Sequence, residues 1–133
     1  ETPVDKITFK NLIQTSRCLI PADGYYEWKR EEKNKIPYYF SRKDEELMFF
    51  AGIHQNNQFC IITREATNKI SDIHHREPLI INRSQLSNYL NITKEPISIL
   101  KAIKPPELKF HKIDKAVNNP INNDPNLINM LKE

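Results

Sequence analysis

The chain has 133 residues, 38% of them apolar and 28% charged, and its 20 lysines and arginines against 17 acids give a net charge of +3 and a pI near 8.8. That composition suits one ordinary globular domain able to bury about two-thirds of its unfolded surface, and it falls short of the pI above ~9 usual for a dedicated nucleic-acid module. With only two glycines, Gly24 and Gly52, the glycine-rich phosphate cradles of Walker or Rossmann type are excluded. No apolar run approaches the ~20 residues of a membrane span, and the opening ETPVDKITFK lacks a signal peptide's basic-then-apolar order, so a cytosolic location without a membrane partner is expected.

In chain order, Phe9, Leu12 and Ile13 recur at helical spacing and predict a short helix over Val4–Gln14. Arg17–Trp28 reads RCLIPADGYYEW, two apolar runs around Pro21-Ala22-Asp23-Gly24, and predicts a hairpin with an Asp-Gly turn. The charged stretch KREEKNK (Lys29–Lys35) follows as a solvated turn whose basic residues are within reach of phosphate. Pro37–Phe40 and Leu47–Ile53 read as paired strands around Arg42–Glu46, and Asn56-Asn57 turns the chain into the strand Gln58–Thr63.

Beyond Thr63 the period changes. Ala66, Ile70 and Ile73 suggest a short helix over Glu65–Asp72, then His74-His75-Arg76-Glu77-Pro78 forms a loop into the strand Leu79–Ile81. Asn82, with Gln85 three residues on, predicts a capping box for a helix to Leu90. Lys94–Ile103 is a further helix stopped by Pro105-Pro106, Leu108–Val117 a strand, Asn118–Asp124 a loop, and Asp124-Pro125 opens a last helix to Leu131. The expected fold is therefore α+β: one domain over residues 1–133, mostly antiparallel sheet curled into a barrel-like core, with short peripheral helices.

Strand alternation puts Tyr25 and Glu27 on one face and Tyr26 and Trp28 on the other. A carboxylate held between rings is partly desolvated, which suits Glu27 to acid/base work; a strand acid that simply faces water is the commoner case, and both readings stand on the residues alone. The same holds for His74, His75, Arg76 and Glu77. An imidazole on a loop exchanges protons near neutral pH and an arginine beside it holds phosphate, yet a hydrated turn has the same composition. The four histidines and two cysteines show no metal-ligand spacing, so no metal is expected. Cys18 and Cys60 lie in strand-like runs, are expected reduced and buried, and lack the setting of a papain-type thiolate.

Taken together, RCLIPADGYYEW, PYYF, LMFFAGI, FCIITREAT, DIHHREPLII and VNNPINNDPNLI resemble, in order and spacing, the SOS-response-associated peptidase (SRAP) family, from the first residue nearly to the last. The resemblance implies recognition of abasic sites in single-stranded DNA. It also implies a covalent adduct through a cysteine at the mature N-terminus, whose α-amine condenses with the sugar aldehyde and whose thiol closes the Schiff base to a thiazolidine; no cofactor is expected. By the same resemblance Glu27 manages proton transfers around amine and aldehyde, and His74 is the acid that opens the deoxyribose ring and serves the reverse reaction. Arg76 falls on a phosphate-contacting arginine, Trp28 sits beside the lesion where its ring meets a base, and Thr63 takes a strand-end position near the site. Self-cleavage that exposes the cysteine explains the word "peptidase". The implied location is the nucleoid in a bacterium and the nucleus in a eukaryote.

There are departures from the family pattern. The family's cysteine opens its chain, and an N-A-R-x-E-T segment supplies an asparagine and another arginine, whereas this sequence opens at Glu1-Thr2. These residues are therefore expected to be a C-terminal portion of an SRAP domain without its nucleophile, with an open sheet edge that favours self-association. Neither Cys18 nor Cys60 replaces the nucleophile, since thiazolidine closure needs amine and thiol on one residue. Glu77 stands where the family usually has methionine, which is expected to set a negative charge beside His74 and Arg76. Two readings stay open: the acid/base half of a DNA–protein crosslinking enzyme, or a non-covalent single-strand DNA-binding or structural module.

Overall fold

The computed structural model describes residues 6–131. Its elements are α1 (Lys6–Thr15), β1 (Arg17–Ala22), β2 (Tyr25–Glu31), β3 (Asn34–Arg42), β4 (Met48–Gln55), β5 (Gln58–Ile61), β6 (Thr63–Glu65), β7 (Arg76–Pro78), α2 (Leu86–Leu90), α3 (Pro96–Ala102) and β8 (Leu108–Lys112). Short 3-10 turns fill Asn68–Asp72, Arg83–Gln85, Lys115–Asn118 and Pro125–Ile128. The class is α+β with mostly antiparallel sheet, as expected, and no ladder closes into a barrel among the described residues. No helix among them is long and apolar enough to cross a membrane.

The chain gathers into two compact units. The first takes residues up to Ala22, Leu47–Arg64 and Pro78–Pro106. Its sheet has the order β1-β4-β5, with Arg17 opposite Ile53 and Ile53 opposite Cys60. Ile13 of α1, Ala51 and Ile53 of β4, Ile62, Leu79, Ile81, Tyr89 and Ile103 pack as one buried cluster. Among these apolar groups lies a cation. Arg17 is 6% exposed, and its guanidinium donates to the carbonyls of Ile13 (2.7 Å), Tyr89 (2.9 Å), Asn91 (3.0 Å) and Lys94 (2.8 Å). Those carbonyls include the otherwise unpaired ends of α1 and α2, so one side chain closes two helices. Glu95 begins α3, its carboxylate accepting from the amides of Ile97 and Ser98, and those bonds hold it below the usual carboxylate range.

The second unit takes Asp23–Glu46, Glu65–Glu77 and residues from Glu107 on. Here the order is β2-β3-β8, with Tyr39 opposite both Tyr26 and His111. Aromatic rings fill one side of this sheet: Tyr25 stacks on Phe40 at 4.8 Å, and Phe40 on Phe110 at 5.1 Å.

The expected central hairpin does not form. β1 and β2 are both present, but β1 pairs with β4 and β2 with β3. The backbone explains why: a two-residue Asp-Gly hairpin needs positive φ, and Gly24 does not have it. Asn56 (φ 52°) and Asn57 (φ 62°) do have it, and they close the β4–β5 hairpin as expected. Gly24 is a glycine for a different reason. A Cβ there would lie 2.3 Å from the Tyr39 hydroxyl and 2.5 Å from the Phe40 carbonyl oxygen. Gly24→Ala is therefore expected to cost about 1–3 kcal/mol, since backbone has to move; an unchanged urea midpoint would refute that close approach.

Other expectations are corrected in the same way. β3 and β4 do not pair with each other; β3 finds β8 instead, and β4 lies between β1 and β5. The Asn82 capping box is absent, because the Asn82 side-chain amide donates to the Lys104 carbonyl and that of Gln85 to Ala102. Single 3-10 turns stand where helices were expected after Thr67 and Asp124, and the last strand ends at Lys112. Val4 and Asp5 of the expected first helix lie outside the described residues.

Candidate active site

The second unit holds a groove of about 800 Å³, and both acid/base candidates line it. Glu27 arrives on β2, an outer strand, where alternation separates it from its neighbours Tyr26 and Trp28. His74 arrives on the segment between the Asn68–Asp72 turn and β7, pinned because the His74 and Ile73 amides both donate to the Ile70 carbonyl. Forty-seven residues apart in sequence, they meet: Glu27 Oε2 lies 3.8 Å from His74 Nδ1, with the side chains 26% and 33% exposed.

Each group is oriented by backbone. Glu27 Oε1 accepts from the Trp28 amide at 3.1 Å, which leaves Oε2 turned to the imidazole. His74 Nδ1 lies 3.2 Å from the Arg76 amide and 3.2 Å from the Arg76 carbonyl. A neutral ring accepts from that amide and keeps its proton on Nε2; a protonated ring donates to that carbonyl. The same residue thus anchors the ring in either state and leaves Nε2 for other partners. His75, exposed, stacks on His74 at 4.6 Å.

Trp28 also lines the groove, its indole Nε1 donating to Asn118 Oδ1 at 2.5 Å. Arg76 is exposed on β7, and its backbone holds the His74 ring. Thr63 starts β6 and lines an apolar pocket of the first unit. Glu77 is buried. Alternation along β7 turns it inward at 4% exposure while Arg76 faces out, and its charge bears on the Tyr25 hydroxyl. Burial first, then the charges of Glu77 and Glu27, push that hydroxyl well above its ordinary range, so it stays protonated. Burial likewise pushes the Cys18 thiol up, away from thiolate character.

The groove has further walls to which the family resemblance gave no role. Lys29, Arg30 and Lys35 line it from the β2–β3 hairpin, a stretch whose charge run reads equally well as a hydrated turn. Asn118 had no signal of its own among the asparagines of VNNPINN.

The profile of the SOS response associated peptidase (SRAP) family matches residues 1–120. The chain belongs to the SRAP family. SRAP relatives include the abasic site processing protein YoqW of Bacillus subtilis, 32% identical over 96% of this chain and 63% of its own length. YedK of Escherichia coli, an abasic site processing protein, is 29% identical over 96% of this chain and 64% of its own. A crystal structure of a Bacteroides thetaiotaomicron protein superposes with a TM-score of 0.81 at 29% identity, covering 96% of this chain and 62% of that one. This SRAP chain thus spans under two-thirds of the length of the relatives it matches.

Proposed function

We propose that these residues form the lesion-binding and proton-transfer part of a protein that processes abasic sites in single-stranded DNA. The observation that carries this reading is the 3.8 Å approach of Glu27 to His74 in a groove with basic and aromatic walls. Membership of a family whose relatives bear the name abasic site processing protein supports it. Opening a cyclic abasic sugar requires a proton at the ring oxygen and removal of one from the hydroxyl on the same carbon. An acid and a base serving one carbon have to sit side by side. His74 delivers its proton through Nε2 and Glu27 Oε2 takes the other; the product is the aldehyde that an amine attacks.

Arg76 and Thr63 are assigned to the DNA backbone and Trp28 to a base beside the lesion, with Asn118 fixing the ring plane. Cys18 and Cys60 both lie inside strands, so neither offers an α-amine, and the part assigned to these residues is recognition and proton transfer. Self-association has its place on β5, an outer strand with Phe59 61% exposed.

Fluorescence anisotropy with matched single strands tests the reading. Tighter binding to the abasic strand is expected, with no denaturation-resistant band. Equal affinity for intact and abasic strands would overturn the lesion assignment, and a resistant band from these residues alone would overturn the division of roles.

A further inference from the structure

We propose that Arg30 and Lys35 form a clamp for one phosphodiester of the strand lying in the groove. The proposal rests on the reading of that groove as a single-strand DNA site. The β2–β3 register sets Arg30 directly opposite Lys35, one rung from the Glu32-Lys33 turn, where Glu31 pairs with Asn34. Residues opposite each other in an antiparallel pair share a face, with Cβ atoms about 4.5–5.5 Å apart, and like charges so placed repel. Both side chains are exposed and both line the groove.

Glu31 reaches Lys29 at 3.4 Å, and among the described residues no carboxylate lies within ion-pair distance of Arg30 or Lys35. A tight hairpin therefore holds two cations together at a cost that only an anion between them relieves. A phosphodiester fits, since its two free oxygens can meet the guanidinium fork on one side and the ammonium on the other.

The position is also specific. Trp28 and Arg30 alternate onto the same face of β2, about 6.6 Å apart along the strand, close to the step of one nucleotide. The clamp thus holds the phosphate next to the nucleotide stacked on Trp28. It grips backbone and is indifferent to whether a base is missing.

The test compares the wild-type chain, the double variant Arg30→Gln/Lys35→Gln, and Lys33→Gln at the hairpin tip. Affinity for intact and abasic single strands is followed across a salt series. The double variant is expected to lower the slope of log affinity against log salt by about 0.7, the contribution of the one phosphate the pair neutralises, equally on both strands. Its melting temperature should equal or exceed the wild type's, because a repulsion is removed. A slope matching that of Lys33→Gln, or a lowered melting temperature, would overturn the clamp. If both strands bind equally while the slope falls as expected, the clamp stands and the lesion assignment fails. If the wild type binds no single strand even at low salt, both fall.

Discussion

Glu27→Gln is expected to slow covalent capture of an abasic strand by about 10²-fold or more, measured with these residues joined to a cysteine-initiated segment. The substitution is nearly isosteric, and the glutamine carbonyl can still accept from the Trp28 amide as Oε1 does at 3.1 Å. What it removes is the negative charge and the proton acceptor beside His74. DNA affinity should hold steady or rise slightly, because one anion fewer faces the phosphates. The signature is a fall in rate with no loss of binding, which a merely structural carboxylate would not produce. An unchanged rate would remove Glu27 from the chemistry.

Arg17→Met is expected to cost on the order of 4 kcal/mol in folding stability, read from the shift in urea midpoint. Methionine can fill much of the space, but it takes the charged donor from the carbonyls of Ile13, Tyr89 and Lys94 and leaves Asn91 only the Lys94 amide, around a side chain that is 6% exposed. A hydrogen bond from a charged donor is worth about 1.5–3 kcal/mol, and a buried acceptor left without a partner adds its own penalty. Set against a typical total of about 5–15 kcal/mol, the loss leaves the first unit near its unfolding threshold. Arg17→Lys should recover only part of it. Three ammonium donors on one point cannot reproduce the fork that now reaches four carbonyls on separate segments. A midpoint like the wild type's would show that the core, and not the guanidinium, holds α1 and α2 in place.

These two residues also mark what could be read from the chain and what could not. A lone acid among Tyr25, Tyr26 and Trp28 and a titratable cluster around His74 mark both as candidates, but the residues alone read equally as a hydrated strand and turn, and their roles come from the family resemblance. The Asn56-Asn57 hairpin was legible for a local reason: asparagine adopts positive φ at low cost. Pairings set by distant segments were not. The Asp23-Gly24 signal describes a turn that Gly24 does not make, since Tyr39 and Phe40 crowd it from another strand. The pairing of β3 with β8 spans some seventy residues, and no local period reveals it. Arg17 drew no reading of its own beyond its place in RCLIPADGYYEW; only the carbonyls gathered around it, up to 77 residues away, make it structural. Asn82 lost its capping role to the Lys104 carbonyl, a competition invisible in the spacing of Asn82 and Gln85.

In the proposed chemistry Glu27 and His74 act on one sugar as a unit. A double-mutant cycle on the capture rate, with Glu27→Gln, His74→Gln and the pair together, tests this most directly. Strong non-additivity is expected, the double variant being hardly slower than the slower single. Losses that simply multiply would mean the two groups work independently, and would contradict that chemistry.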